Sequence, residues 1–225
     1  YILGRCATVD EVKAEIARVH IHGFDPRSST VHWRFAEPSG RQIVLEIING
    51  KCVFYENNLG VLTNSPSFDW QLTNLNNYVN LLPGRTEPHT LGNMSLSSFG
   101  GGSAMIGLPG DFTPPSRFVR AAFFQSTAPQ KPDAEGSVFT AFHILGSMEI
   151  PIGAQFPVDE TPADIPSATQ CTCVTDMSGL RFYYRSMYDG GIRCIDLKEI
   201  DFKKIGLKSE PLVPSKKEFV HHIRF

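Results

Sequence analysis

The stretch RQIVLEIINGKCVFYE, from Arg41 to Glu56, indicates how this chain folds. Two runs rich in Val, Ile, Phe and Tyr flank Asn49-Gly50, and an Asn-Gly pair between such runs is a strong short-range signal for a β-hairpin. β-Branched and aromatic side chains suit strands that pack on a sheet surface. The stretch therefore predicts two antiparallel strands joined by a two-residue turn.

The neighbouring segments extend this hairpin into an antiparallel meander. TVHWRFAEP, residues 30–38, is a strand-like run that Ser39-Gly40 separates from the hairpin. GVLTNS, residues 60–65, has the composition of a fourth short strand. We therefore predict four strands in this part of the chain.

Helices are predicted on both sides of the meander. A capping box at Thr8–Glu11 starts a helix over about residues 9–20, and SFDWQLTNLNNYV, residues 67–79, has apolar residues at helical spacing. TPPSRFVRAAFF begins a third helix, with Thr113 as its cap and a proline at the first helical position. SVFTAFHILGSM predicts a fourth helix that ends near Gly146.

The last third of the chain returns to strands. TQCTCVTDM, LRFYYRSMY and IRCIDLKEI are strand-like, with hairpin turns predicted at Ser178-Gly179 and Gly190-Gly191. Strands, then helices, then strands, with hairpins throughout, is the order of an α+β fold and not of a doubly wound parallel sheet. We predict one domain over residues 1–225, built from two antiparallel sheets with helices packed outside.

The composition excludes several classes of partner. A net charge of −2 and a pI near 6.4 favour neither nucleic acid nor an anionic membrane. No apolar run approaches the roughly 20 residues of a membrane helix. Five cysteines at irregular spacing do not form a disulfide framework and are predicted to be small buried residues in a reducing compartment. No zinc-site spacing and no phosphate-binding loop is present, so we predict neither a metal nor a cofactor.

Two features stand out from this ordinary composition. Residues 83–110 are rich in Gly and Ser and have little periodicity. A structureless loop of this length is unusual, which favours a functional segment or one covered by a partner.

The second feature is a group of asparagines. Asn74, Asn76 and Asn77 are expected on the helix surface or at its end, whereas Asn64 ends a predicted strand before a Ser-Pro turn. Its carboxamide suits either a plain turn or an oxyanion donor.

Several motifs together resemble a known family. GVLTNSPSFDWQLTNLNNY, residues 60–78, and GLPGDFTPPSRFVRAAFF, residues 107–124, are similar to segments of the choloylglycine hydrolase family, which contains bile salt hydrolases and penicillin V acylases. The resemblance continues through VHWRFAEPSGRQIVLE, AFHILGSMEIP and LRFYYRSMYD, and so covers essentially the whole chain. It implies an N-terminal-nucleophile hydrolase with a four-layer αββα fold that cleaves linear amides.

The resemblance also implies roles for individual residues. Asn64 matches the family's oxyanion-hole asparagine, and Arg117 matches an arginine that lies near the nucleophile and stabilises charge; without the resemblance, Arg117 would be read as a surface residue of its helix. The loop HIHGFDPRSSTV matches a substrate-pocket loop by position, which makes Phe24 and Val31 candidate pocket residues. Residues 83–110 resemble a protruding assembly loop, which implies a homotetramer.

One departure from the family pattern is large. The family's nucleophile is an N-terminal cysteine, but this chain begins at Tyr1, and YILGRCATVDEVKAEI resembles the middle of the family. We therefore expect that about the first third of the usual chain is absent and that these residues alone are inactive.

The resemblance implies small N-acyl amide substrates, with glycine- or taurine-conjugated bile salts first. Penicillin V, N-acyl homoserine lactones, and a catalytically dead relative that binds acyl ligands are the alternatives. Unpaired cysteines favour the cytoplasm, whereas a lost leader would place the protein in the periplasm or outside the cell.

Overall fold

The computed structural model divides the chain into two compact units, Tyr1–Ala128 and Pro129–Phe225. It describes residues 1–22, 31–157, 159–160, 168–213, 216–217, 219–220 and 222–223. Among the described residues, the first unit contains two sheets and two buried clusters of apolar side chains, and the second unit contains one of each. A single domain over residues 1–225 stays a prediction.

The meander in the first unit has three antiparallel strands. These are β1 (Trp33–Ala36), β2 (Gln42–Ile48) and β3 (Lys51–Glu56), in the order β1-β2-β3. Asn49 and Gly50 form the turn between β2 and β3 and both have positive φ, at 51° and 75°. Positive φ at both central residues is what a type I′ hairpin turn requires, so the Asn-Gly prediction is confirmed.

The central strand β2 is buried on both faces. Ile43 and Leu45 pack against helix α1 (Val9–Ile16), whereas Val44 points to the other face and packs with Phe68 and Phe118. This division follows from the alternation of side chains along a strand. The capping box of α1 is present, with the Thr8 and Glu11 side chains each accepting the other's backbone N–H. The helix ends at Ile16, four residues before the predicted end.

Two helices cover the second face of this sheet. Helix α2 (Phe68–Asn74) continues as a 3₁₀ turn over Leu75–Tyr78, and helix α3 (Pro114–Thr127) starts with a proline, as predicted. The Asn76 side chain donates to the Thr73 carbonyl and the Asn77 side chain to Asn74 Oδ1. These are helix-surface groups, as expected from the sequence.

The predicted fourth strand at residues 60–65 is wrong, since this segment is an extended loop without strand pairing. The cause is the carboxamide of Asn57, which is 3% exposed. Its Nδ2 donates to the Val61 carbonyl at 3.1 Å, and its Oδ1 accepts the Gly60 N–H at 2.8 Å. The Gly60 N–H and the Val61 carbonyl, which would bond to a neighbouring strand in a sheet, are thereby bonded to the Asn57 side chain instead.

Residues 83–110, which the sequence suggested to be a loop without regular structure, contain two short strands. Strands β4 (His89–Leu91) and β5 (Met94–Leu96) form a two-stranded hairpin, followed by a 3₁₀ turn at Ser103–Met105. The Leu82 N–H donates to the Ala104 carbonyl and closes the base of the segment. It is therefore an exposed hairpin with a closed base.

The second unit packs one helix on one sheet. Helix α4 (Ala134–Gly146) ends where predicted and buries Val138 and Phe142 against Tyr183. The antiparallel strands are β6 (Cys171–Asp176), β7 (Arg181–Ser186) and β8 (Asp189–Asp196), in that order. Gly190 and Gly191 lie within β8 and not in its turn, which corrects the prediction.

The structure shows the state of the cysteines and bears on membrane-spanning helices and clusters of metal ligands. All five cysteines are unbridged, but Cys52, Cys171, Cys173 and Cys194 are exposed, so the expectation that they are buried is wrong. Among the described residues, no helix is long and apolar enough to cross a membrane. Within the same residues, no three His, Cys, Asp or Glu side chains cluster as metal ligands would.

Candidate functional site

Asn64 and Arg117 are in direct contact although 53 residues separate them. Arg117 Nη2 donates a hydrogen bond to Asn64 Oδ1 at 2.6 Å. Asn64 is exposed and Arg117 is half-buried, so the pair lies at the surface of the first unit. The two residues that the sequence singled out for catalysis therefore belong to one site.

The guanidinium of Arg117 is held in place by its own helix start. Its Nε donates to the Phe112 carbonyl at 3.0 Å, while Nη2 reaches Asn64. Loss of solvent, and then the nearby charge of Arg120, lower the pKa of Arg117 from its usual value. An arginine starts from so high a pKa that it remains charged at any working pH.

This contact fixes which way the Asn64 carboxamide faces. A guanidinium has only donors, so the atom it contacts must be the carboxamide oxygen. The NH₂ group of Asn64 is then turned away from Arg117, and it makes no hydrogen bond within the described residues. Two donor groups, a carboxamide NH₂ and a guanidinium, therefore lie side by side at the surface.

Two side chains that sequence reasoning missed hold the Asn64 segment. Gln71, which is 2% exposed, donates from Nε2 to the Asn64 carbonyl at 3.3 Å. Thr63 donates from Oγ1 to the Pro114 carbonyl at 3.1 Å and so ties the segment to the start of α3. The only sequence signal for Gln71 is its position one turn into a helix that directly follows Asn64.

Glu46 on β2 fixes the start of α2, which follows the Asn64 segment. It is 4% exposed, and its Oε1 accepts the Phe68 N–H at 2.7 Å. The Nδ1 atom of His32 lies 2.5 Å from the same oxygen. A buried carboxylate thus satisfies one of the unpaired N–H groups at the helix N-terminus, where negative charge is favourable.

Asp111 organises the start of α3, which carries Arg117. Its carboxylate accepts hydrogen bonds from the Thr113 N–H, the Thr113 hydroxyl and the Ser116 hydroxyl. These bonds, that of Ser116 first, lower the pKa of Asp111 to about 2. Thr113 is the N-cap residue as predicted, but its side chain makes no capping bond to the helix and donates to Asp111 instead.

The electrostatics of the site favour a negative charge near the pair. Arg117 lies in the first turn of α3, at the positive end of the helix dipole, although Pro114 and Pro115 have no N–H and the Asp111 carboxylate offsets part of this charge. The guanidinium and the Asn64 NH₂ add to it. Such an arrangement can stabilise an oxyanion, because its donors are oriented before the charge develops.

Arg120 is one turn further along α3 and has a different role. It is 5% exposed, and its Nη1 donates to the carbonyls of Pro109 and Asp111. Its guanidinium thus ties down the loop before the helix and has no bond to Asn64. The structure therefore separates the two arginines into one at the site and one in the scaffold.

The candidate pocket residues have less support. Phe24 lies outside the described residues. Val31 is 42% exposed and does not line the groove of about 570 Å³ that the first unit contains. Side chains such as Ile16, Trp33 and Leu45 line that groove instead.

Comparison with known proteins agrees with the motifs. The family model described as linear amide C–N hydrolases, choloylglycine hydrolase family, matches residues 1–210. The chain belongs to the choloylglycine hydrolase family. This confirms the resemblance on which the assignment of Asn64 and Arg117 was based, while their roles stay predictions.

Choloylglycine hydrolase relatives are similar along most of the chain. A bile salt hydrolase/transferase from Clostridium perfringens is 35% identical over 88% of this chain and 60% of its own length. A bile salt hydrolase/transferase from Lactiplantibacillus plantarum is 33% identical over 94% of this chain and 65% of its own length. The chain thus spans less than two thirds of these relatives.

A solved choloylglycine hydrolase relative has the same fold. A variant of the conjugated bile acid hydrolase from Clostridium perfringens superposes with a TM-score of 0.81, at 31% identity, over 97% of this chain and 66% of the other. The predicted α+β fold of the N-terminal-nucleophile hydrolases is therefore confirmed.

Proposed function

We propose that the complete protein hydrolyses the linear C–N amide bond of N-acyl substrates, and that conjugated bile salts are those substrates. The observation that carries the proposal is the 2.6 Å contact between Arg117 Nη2 and Asn64 Oδ1. It leaves the Asn64 NH₂ group free to donate and places a permanent positive charge beside it. Membership of a family of linear amide hydrolases supplies the reaction class.

The proposed chemistry uses these donors in the transition state. As a nucleophile adds to the amide carbonyl, its oxygen gains negative charge and accepts a hydrogen bond from the Asn64 NH₂ group. Arg117 stabilises the same charge and keeps the carboxamide in the required orientation. When the tetrahedral intermediate collapses, the C–N bond breaks and the amine leaves.

The nucleophile is not assigned within residues 1–225. The resemblance implies a cysteine at the chain terminus, whose α-amino group accepts the thiol proton. An α-amino pKa near 8 suits a base at neutral pH. Cys6 has no free amine of its own, since its nitrogen forms the peptide bond with Arg5. With this thiol as the nucleophile, collapse of the tetrahedral intermediate would leave the acyl group on sulfur as a thioester, and the proton held by the α-amino group would go to the leaving amine. Water would then hydrolyse the thioester, releasing the acid and restoring the thiol.

Bile salts are favoured as substrates by the relatives. The two quoted relatives are named bile salt hydrolase/transferases, at 35% and 33% identity. Phe24 and Val31 stay proposed pocket residues on their position alone.

The oligomeric state is proposed from the apolar surface of one segment. The exposed hairpin segment, residues 83–110, displays Leu91, Phe99 and Ile106 at 69%, 98% and 75% exposure. Apolar side chains displayed so openly favour burial against a neighbouring subunit. We propose a homotetramer that uses this segment, located in the cytoplasm.

The test is an amide-hydrolysis assay of the complete protein. Glycocholate, taurocholate and penicillin V are supplied separately, and the released amine or acid is quantified. We expect release from the two bile salts at a higher kcat/KM than from penicillin V. A preference for penicillin V would overturn the substrate assignment, and no hydrolysis of any of the three would overturn the reaction class.

A further inference from the structure

His32 has a nearly buried side chain to which the proposed hydrolysis assigns no role. The side chain is 9% exposed, and its Nδ1 atom lies 2.5 Å from Glu46 Oε1. The register of β1 with β2 pairs Trp33 with Leu45, so His32, which precedes Trp33, lies across from Glu46. Directly opposed residues of an antiparallel pair are on one face of the sheet, with their side chains in contact. The pairing of the two strands therefore brings His32 to Glu46.

Glu46 connects His32 to the start of helix α2. Glu46 and Val44 are two residues apart on β2 and so point to the same face, where Val44 packs with Phe68. The Oε1 atom that contacts His32 also accepts the Phe68 N–H at 2.7 Å. Phe68 is the first residue of α2, and its N–H is one of the four that a helix leaves without an internal partner. The position of the Glu46 carboxylate thus helps to determine where the helix begins.

The start of α2 in turn holds Asn64, which lies four residues before Phe68. Gln71 donates from Nε2 to the Asn64 carbonyl at 3.3 Å, and its N–H donates to the Ser67 carbonyl at 3.0 Å. The backbone of Asn64 is thus bonded to the same helical turn that Glu46 anchors. A shift of this turn would move Asn64, and with it the carboxamide that contacts Arg117.

Keeping the His32–Glu46 pair buried is costly for the fold, which favours a role beyond stability. Glu46 Oε2 is buried and has no hydrogen-bond partner among the residues that the structure describes. A buried acceptor without a partner lowers stability, whereas two apolar residues in place of a buried polar pair can be nearly neutral. An apolar side chain at position 46 would therefore serve the core as well as the carboxylate does.

The ring nitrogen at this contact carries a hydrogen. A bare Nδ1 would present a lone pair to the carboxylate at 2.5 Å and repel it, whereas Nδ1–H presents positive charge. His32 thus offsets the charge of a carboxylate that has lost most of its water. Without His32, rotation of the Glu46 carboxylate away from Phe68 and towards water would become favourable.

We propose that His32 is a positioning residue for the oxyanion donor. It holds the Glu46 carboxylate against the Phe68 N–H, and Glu46 thereby fixes the segment that carries Asn64. This inference rests on the proposed amide hydrolysis, in which Asn64 donates to the developing oxyanion. His32 acts through Glu46 and transfers no proton in the reaction.

The first test is steady-state hydrolysis of taurocholate by the complete protein. H32L removes the ring nitrogen, and H32N keeps a donor, since the carboxamide NH₂ can take the place of Nδ1–H. We expect H32L to lower kcat by about 10²-fold, as for a misplaced catalytic group, with KM nearly unchanged. H32N should recover most of the lost kcat. Equal kcat for H32L and H32N would overturn the proposal.

Two further variants separate this role from a general loss of stability. I43A is the control, because Ile43 is buried on the same strand but packs on the opposite face, against α1. It should lower the urea midpoint of unfolding and leave kcat close to that of the wild type. E46M and the double variant H32L/E46M should have the same kcat, since His32 acts through Glu46. A fall in kcat with I43A as large as with H32L, or a lower kcat in the double variant than in E46M, would contradict the inference.

A second measurement does not depend on activity. Amide hydrogen exchange of the complete protein, followed by mass spectrometry on the peptide that contains Phe68, reports on the N–H that Glu46 accepts. We expect H32L to speed exchange in this peptide by about tenfold, the loss of one hydrogen bond to a charged group, and to leave the peptide at the start of α3 unchanged. An equal rise in both peptides, or no rise, would overturn the positioning role. Faster exchange in the Phe68 peptide alone, in a protein that hydrolyses none of the three amides, would support the positioning of the segment and overturn only the proposed function.

Discussion

Arg117 and Asn64 form a donor pair in which the guanidinium sets the orientation of the carboxamide. The bond of 2.6 Å runs from Arg117 Nη2 to Asn64 Oδ1. A carboxamide that faced the other way would place its NH₂ against the guanidinium, where neither group can accept a hydrogen bond. The free NH₂ group is therefore a consequence of Arg117, and both residues can be tested.

Replacement of Asn64 by alanine should lower kcat of the complete protein by about 10²–10³-fold, the usual effect of removing one oxyanion donor. The binding of substrate should change little, because the donor acts on charge that develops in the transition state. The assay is steady-state hydrolysis of taurocholate. Asn76→Ala is the control, since the Asn76 side chain bonds only to the Thr73 carbonyl on the helix surface. Equal kcat for the two variants would refute the role of Asn64.

Replacement of Arg117 by lysine keeps the charge but loses the planar fork that reaches Asn64 and the Phe112 carbonyl together. We expect kcat to fall by about 10²-fold, as for a misplaced catalytic group, with a small change in the urea midpoint of unfolding. Arg120→Lys should show the opposite pattern. The Arg120 guanidinium is buried and holds the loop carbonyls of Pro109 and Asp111, so its loss should lower the urea midpoint. The hypothesis fails if Arg117→Lys unfolds the protein instead.

Gln71 is expected to act by positioning Asn64. Gln71→Met removes the Nε2 donor and also a buried Oε1 that has no partner within the described residues, so the free energy of unfolding should fall by only about 1 kcal/mol. Turnover should still fall, because the Asn64 carbonyl loses its anchor. Gln125→Met is the matched control, since Gln125 Nε2 holds the Leu59 carbonyl at 2.9 Å in the same unit. A similar loss of turnover in the control would show a general effect of stability and not of position.

Lowering the pH should remove the contribution of the ionised Asp111 carboxylate to the free energy of unfolding. Its folded-state pKa of about 2 lies below the ordinary value of 3.8, so its stabilising effect is complete above pH 4 and is lost as the pH falls from about 4 to 2. Asp111→Asn should lower the urea midpoint at pH 6, and the difference from the wild type should shrink at pH 2.5. Glu87→Gln, an exposed carboxylate in the 83–110 segment, is the control and should shift the midpoint little at either pH. A difference for Asp111→Asn that is the same at both pH values would contradict the assignment.

The exposed hairpin segment is expected to mediate assembly. The double variant Leu91→Asp with Phe99→Asp places charges on side chains that are 69% and 98% exposed, so an isolated chain should tolerate it. In the complete protein we expect light scattering to report the mass of a smaller species. Phe202→Asp, at a side chain that is 67% exposed outside the segment, should leave the mass unchanged. An unchanged mass for the double variant would exclude the segment as the interface.

Local patterns were sufficient for most of the secondary structure. The Asn49-Gly50 turn, the Thr8 capping box and the proline at the start of α3 are short-range signals, and all three are present. They were predictable because each one depends only on residues within a few positions. The prediction of a strand at residues 60–65 was wrong for the opposite reason, because the structure there depends on more than neighbouring residues. The buried Asn57 side chain forms hydrogen bonds with the Gly60 N–H and the Val61 carbonyl. The burial of such a polar group depends on residues distant in sequence.

The sequence by itself determined the family and the α+β class and predicted Asn64 and Arg117 as site residues, because motifs and periodicity are properties of neighbouring residues. Only the tertiary structure decided that the Arg117 side chain orients Asn64, that Gln71 and Glu46 hold the segment, and that the cysteines of β6 face outward. These depend on which side chains meet across strands and helices, and on which of them lose water. The contacts of Arg117 with Asn64 and of Glu46 with Phe68 join residues 53 and 22 positions apart, so no local pattern records them.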